Sequence, residues 1–316
     1  MSLSHLLKAK DVRAQLNRIT PDYRRTLSAT TNVEKLGGPH QLIGTAFDYA
    51  LRFEIGRRCP SARGERWVAE NGVRRLELGR ALAGTATLLS TPKLSGPSRD
   101  LDRLARRARR WIDAAREQVP TYQSIRAVRR SDLTVLAELT LTLARLDVVA
   151  RCGDPSALRS EPSAEEREEL VRLLEVVPFQ RLALAGDVFL NPTFSSASEA
   201  VGGADADLVI DGRLLDIKTL ANSFIERPAV HQLLGYLMLA RHARRRDTAF
   251  PRIRSVGLYF ARQAAIWEID VEPIVRSETF ADVERWFAAR ARLDQPAPRA
   301  RSRPRADRVA PDTTER

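Results

Sequence analysis

Residues 202–220 read GGADADLVIDGRLLDIKTL, and three side chains in this stretch could do chemistry together: Asp207, Asp216 and Lys218. Asp211-Gly212 is a strong two-residue hairpin signal, because a type I′ turn needs positive φ at both central positions. Such a turn fixes the strand register. Ile210 then faces Arg213, Val209 faces Leu214, Leu208 faces Leu215 and Asp207 faces Asp216. One step further, Asp205 faces Lys218. Side chains alternate along a strand, so Asp205, Asp207, Asp216 and Lys218 share one face. Leu208, Ile210, Leu215 and Ile217 take the opposite face and belong in the core.

Two opposed carboxylates sit about 4.5–5.5 Å apart at Cβ, and like charges so placed destabilise a sheet. A divalent cation between them removes that penalty, since Mg²⁺ favours one or two carboxylates plus water. A lysine two residues beyond an acid ligand reaches a metal-held water or a substrate phosphate. The plain alternative is a solvated polar face with an Asp205–Lys218 ion pair. Lysine is scarce here: of 52 basic residues only Lys8, Lys10, Lys35, Lys93 and Lys218 are lysines. Arginine is a permanently charged wide fork, whereas lysine is a compact ammonium whose pKa can shift. A lysine retained at 218 in so Arg-rich a chain favours a chemical role.

The elements that must position these groups are legible on either side. RPAVHQLLGYLMLARHARRR reads as a helix with Pro228 well placed for its first turn. Gln232 and Tyr236 lie four residues apart on one face of it. Buried against a sheet, both need polar partners. They are either a structural glutamine and a core tyrosine, or groups facing the acids. Arg241, Arg244 and Arg245 end the same helix. They either bind phosphates or form a solvated last turn favoured by the helix dipole. Upstream, a break at Gly37-Gly38-Pro39 precedes HQLIGTAFDYALRFEIGRR, whose apolar residues recur at helical spacing. Asp48 on this helix has Arg52 as an i,i+4 partner, worth about 0.2–0.5 kcal/mol.

From about 64 to 176 the pattern stays helical, with apolar stripes over 64–88, 99–118, 131–151 and 164–176. After residue 180 it becomes strand-like, in VFLNPTF, DADLVI, RLLDIKT, SVGLYF and AIWEIDV. Residues 278–292 form a closing helix. The tail from Asp294 is rich in Pro and Arg and is expected to be disordered. With 316 residues the chain can bury a sizeable core. Its net charge of +12 favours polyanion partners. The longest apolar stretch, 133–150, is interrupted by Glu138, Arg145 and Asp147, and no run reaches membrane-span length. The N-terminus lacks the apolar segment of a secretory signal. Cys59 and Cys152 are too few for a disulfide framework or a four-thiolate metal site. The expectation is a cytoplasmic protein with no membrane partner.

The ordered set Asp207, then Asp216-Ile217-Lys218, then Gln232-Leu-Leu-Gly-Tyr236, resembles the PD-(D/E)XK nuclease superfamily. Within it, the Q-x-x-x-Y helix resembles the RecB-type branch. The likeness covers residues 37–56 and 180–292. It implies an α/β (α+β mixed) restriction-endonuclease-like core, a mixed central sheet flanked by helices. By this likeness residues 1–36 are an N-terminal helix and arm, 37–56 the first core helix, 57–180 a helical insertion, 181–293 the nuclease core and 294–316 a basic tail.

The same resemblance implies a Mg²⁺- or Mn²⁺-dependent nuclease acting on DNA or another nucleic acid. Asp207 and Asp216 would hold the metal with the Ile217 carbonyl. Lys218 would orient the attacking water or meet developing charge, and Gln232 and Tyr236 would position the backbone or the lysine. Gly44-Thr45-Ala46-Phe47-Asp48 matches the branch's G-x-x-F-H-like motif with Asp in place of His, a hard oxygen donor suited to Mg²⁺. Glu54 is a second acid on that helix, pointing to another face. Asp205 and Glu199 are further acids near the hairpin, and Asp207 is preferred to Asp205 as first ligand because Leu-Val follows it. The four-cysteine iron–sulfur cluster of some relatives cannot form here. Two other readings stay open: a catalytically weak nuclease-like protein that binds nucleic acid, and a helical partner-binding protein resting on 57–180.

Overall fold

The computed structural model of the chain describes residues 2–64, 67–83, 98–184 and 186–294. The expected tail beyond Asp294 and residues 84–88 of the first helical segment lie outside the described residues. The N-terminal part forms α1 (Leu3–Leu6), α2 (Lys10–Ile19), α3 (His40–Arg58) and the short β1 (Arg63–Gly64). Four long helices follow: α4 (Val68–Ala83), α5 (Ser98–Gln123), α6 (Arg130–Cys152) and α7 (Ala164–Glu175). Then come α8 (Phe179–Leu182), β2 (Val188–Leu190), α9 (Ser196–Ala200), β3 (Leu208–Ile210) and β4 (Arg213–Lys218). The chain continues through α10 (Arg227–Arg246), β5 (Ser255–Phe260), β6 (Ala265–Asp270), α11 (Glu272–Val275) and α12 (Glu278–Arg290).

The strands form one six-stranded mixed sheet, ordered β1 to β6 as in the chain. The β1–β2 and β4–β5 pairs are parallel and the others antiparallel. Parallel neighbours need a crossover of a dozen residues or more, and α10 supplies it between β4 and β5. The turn chemistry is as expected, with φ +46° at Asp211 and +78° at Gly212. Leu208 pairs with Leu215, Val209 with Leu214 and Ile210 with Arg213. β1 was not foreseen: a two-residue strand is too short to show a period, and it lies inside the 57–180 stretch read as helical. α5 runs on through Pro120 to Gln123 instead of stopping near 118. Val119 and Tyr122 are buried there, and the Tyr122 hydroxyl donates to Glu54 at 2.7 Å, so packing holds the last turn.

Both sheet faces are covered. Leu208, Ile210 and Leu215 share a core with α3, α5, α6 and α7. Val209, Leu214, Val256 and Leu258 share a second core with α2, α10 and α12. Val209 and Leu214, on the same face as the acids, are fully buried. The alternative of a solvated polar face is therefore excluded. The helices of 57–180 close on α3 and on one face of the sheet in a continuous hydrophobic core.

Candidate active site

The end of β4 carries Asp216 and Lys218, the first 4% exposed. Lys218 Nζ stands 2.5 Å from Asp216 Oδ2, so the lysine's partner is Asp216 and not Asp205. The charges touch at an angle that leaves Asp216 Oδ2 without a formed hydrogen bond. Burial pulls the Lys218 pKa down, but the charges of Asp216 and Asp207 outweigh it and the net shift is upward. Lys218 is thus an ammonium at neutral pH.

Asp207 precedes β3 and faces Asp216 across the hairpin. Its Oδ2 accepts a hydrogen bond from the Ile217 N–H at 2.6 Å. Asp207 keeps a small opening to solvent, yet desolvation dominates its ionisation. Burial first, then the negative charges of Asp216 and Asp48, hold its carboxyl well above the usual range; the Ile217 N–H and Lys218 oppose them only in part. The like-charge penalty inferred from the register is therefore present in the fold. Replacing Asp207 by Asn removes one charge and keeps an oxygen acceptor for the Ile217 N–H. Asp207→Asn is expected to raise stability in EDTA by about 1 kcal/mol, measured by urea denaturation. An unchanged or lower midpoint would mean the acids do not repel.

Gly44 brings the third acid in. A Cβ there would lie 2.7 Å from Thr219 Oγ1, so the glycine lets α3 close on the residue after Lys218. One turn later Asp48 falls within electrostatic reach of Asp207 and Asp205. Asp48 Oδ2 binds Arg52 at 2.5 Å, while Oδ1 is buried with no hydrogen-bond partner. Burial raises the Asp48 pKa and Arg52 opposes it. Both expectations for this side chain hold: it pairs with Arg52, and it stands beside the acids.

α10 lays Gln232 and Tyr236 over the same cluster. Gln232 Nε2 donates to the Tyr236 hydroxyl at 2.9 Å, leaving the phenolic proton free to be donated elsewhere. Tyr236 stacks on Phe194 with ring centroids 5.6 Å apart. Burial, then the charges of Asp216 and Asp207, push its pKa far up, so it is a neutral donor. Asp205 is half-buried, bridges Thr193 through the backbone and adds its charge at Tyr236.

Some residues lie elsewhere. Glu54 turns toward α5, bound by Arg57, Arg58 and Tyr122 at 2.7–2.8 Å. Glu199 is exposed on α9. Arg241 and Arg245 each bind Glu284 at 2.7 Å, and Arg244 donates to the Phe250 carbonyl at 2.6 Å. At 1.5 Å rise per residue these arginines stand roughly 14–20 Å along α10 from Gln232. They line a separate cleft of about 1260 Å³ with Arg213, at the opposite end of β4 from Lys218. The structure does not bring them to the acids.

The sequence reading missed Asp147 and Arg151 of α6. Arg151 Nε donates to Asp147 Oδ1 at 3.2 Å, and the field of Asp147 reaches Asp48 and Arg52. Burial raises the Asp147 carboxyl, with Arg151 opposing. The available signal was an opposite-charge pair four residues apart in and just after an apolar helical run.

The donor set suits a hard divalent cation. It is all oxygen, largely buried and mutually repelling, and Asp48 Oδ1 and Asp216 Oδ2 lack hydrogen bonds. The other carboxylate oxygens are held by Arg52 and the Ile217 N–H. Among the described residues, no three His, Cys, Asp or Glu side chains already stand in a ligand arrangement. Asp48 and Asp216 would have to turn partly from their cations to converge.

The chain has no significant match among family models, curated proteins or solved structures. Function is therefore argued from the site's own geometry. No described helix is long and apolar enough to cross a membrane.

Proposed function

We propose that the protein is a metal-dependent nuclease hydrolysing DNA phosphodiester bonds, built on a PD-(D/E)XK core of the RecB-like type. The observation that carries this reading is the meeting of Asp207 and Asp216 across the hairpin, with Lys218 2.5 Å from Asp216 and Asp48 arriving from α3. Asp207, Asp216 and Asp48 would hold Mg²⁺ or Mn²⁺, helped by the Ile217 carbonyl. The ion supplies Lewis acidity and neutralises charge at the scissile phosphate. Lys218 keeps a compact positive charge where charge develops on the phosphate, or holds the attacking water. Tyr236 offers a neutral O–H to a phosphate oxygen, and Gln232 fixes its direction. The core helices and the 57–180 helices seat Asp48 and Arg52 against the sheet.

A second reading is a nuclease-like nucleic-acid-binding protein with little catalysis. It is favoured by the Arg52–Asp48 contact, which holds one expected ligand on a cation of the protein's own. Incubation of linear, circular and single-stranded DNA with Mg²⁺, Mn²⁺ or EDTA separates the two. The nuclease reading expects cleavage that EDTA abolishes; retention of DNA without cleavage supports the second. Asp216→Asn is expected to weaken Mn²⁺ affinity at least about tenfold, the loss known for removing even an outer partner of a metal ligand. Calorimetric titration reads this directly, and unchanged affinity counts against the two-carboxylate site.

A further inference from the structure

The loop from Thr219 to Glu226 joins Lys218 to the helix that carries Gln232, and it holds two of the five exposed large hydrophobic side chains among the described residues. Leu220 is 42% exposed and Phe224 53%. Single exposed apolar side chains need no explanation, but a pair beside a charged cleft does. The loop is not loose. Residues 223–225 pair with the N-terminal arm: Ile225 N donates to Arg25 O at 2.8 Å and Leu27 N to Ser223 O at 3.2 Å. The Ser223 hydroxyl adds a bond to Leu27 O at 2.8 Å, and Gln263 holds the Ala221 carbonyl at 3.1 Å. Thr26 and Phe224 are direct cross-strand partners.

This pairing decides where Phe224 points. Burial alternates along the segment, with Ser223 and Ile225 buried and Phe224 and Glu226 exposed. In extended backbone, residues two apart share a face. Glu226 lies on the Lys218 side of that ribbon, close enough for its charge to act on the ammonium. Phe224 therefore presents its ring on the face that looks toward Lys218. Exposed Arg24, Arg25 and Arg227 flank it. An aromatic face set among cations, beside a phosphate-handling lysine, matches the chemistry of unpaired nucleic acid: bases stack on the ring while the backbone follows the positive charge. A duplex hides its base faces and gains nothing from such a ring.

Resting on the nuclease reading above, we infer that Phe224 is a stacking platform for an unpaired base, so that the site takes single-stranded nucleic acid or a frayed strand end. Arg24, Arg25 and Arg227 hold the adjoining phosphates, and the ribbon of arm and loop keeps the ring rigid.

The test uses the full chain in EDTA, so that binding is read without turnover. Fluorescence anisotropy compares labelled oligothymidine with a blunt duplex, for wild type, Phe224→Ala and Phe224→Trp. Because Phe224 is exposed, neither substitution threatens the core. Phe224→Ala is expected to weaken oligothymidine binding about tenfold or more and to leave duplex binding unchanged. Phe224→Trp is expected to keep the affinity, with its indole emission quenched as oligothymidine binds. Equal binding by wild type and Phe224→Ala overturns the platform, and so does an equal loss for both nucleic acids. Adding Mg²⁺ separates this from the reading it rests on. Cleavage with Phe224-independent binding removes the platform and leaves the nuclease. Phe224-dependent binding without cleavage under any divalent cation does the reverse.

Discussion

Lys218→Ala is expected to lower Mg²⁺-dependent DNA cleavage by about 10²–10³-fold or more, the loss typical for one preorganised charge-stabilising group. The side chain emerges at the last residue of β4, and its ammonium is 2.5 Å from Asp216 Oδ2. Removing it deletes the compact positive charge beside the acids and leaves the β4–β5 ladder, which is made by backbone. Circular dichroism should therefore match wild type. Lys218→Arg is expected to rescue poorly, because a planar fork cannot occupy a point-charge position beside a buried carboxylate. A Lys218→Ala protein that cleaves as fast as wild type would show that the lysine serves only to pair Asp216.

Arg262→Met carries the largest expected effect on stability, a loss of about 3–5 kcal/mol by urea denaturation. Arg262 and Glu169 are 1% and 0% exposed and bind each other directly. Arg262 Nε donates to the Thr219 carbonyl at 2.8 Å. Its own carbonyl accepts from the Asn32 and Val33 N–H groups at 2.8 and 3.2 Å. Glu169 Oε2 accepts from the Leu36 N–H at 2.7 Å. The pair thus ties the N-terminal arm, α7 and the residue after Lys218 into one knot. A methionine fills the volume but strands a buried carboxylate, and an uncompensated buried charge is what costs most. A change below about 1 kcal/mol would mean that Glu169 finds another cation or water there.

The hairpin was legible because its information is local. Asp211-Gly212 dictates positive φ, the turn dictates register, and register dictates that Asp207 meets Asp216. Q-x-x-x-Y was legible for the same reason, since i,i+4 spacing fixes the Gln232–Tyr236 contact within one helix. What lay beyond reach depends on how separate elements dock. Nothing in the local pattern of Arg262 or Glu169 says that residues 93 apart in sequence will pair in the core. Asp147 and Arg151 read as an ordinary surface pair until α6 is set against α3. Arg241, Arg244 and Arg245 illustrate the opposite error: they share a helix with Gln232, but length along the helix carries them away from the acids. The fate of the Lys218 charge was also docking-dependent, since Asp216 captures it on the same strand before Asp205 can.

Crystals soaked in Mn²⁺ test the central claim most directly, through the anomalous signal of the ion. The account predicts a peak between the Asp207 and Asp216 carboxylates within coordination distance of an Asp48 oxygen, weakened in Asp216→Asn. Well-diffracting soaked crystals with no peak there, and with Asp48 and Asp216 still turned to Arg52 and Lys218, would contradict it.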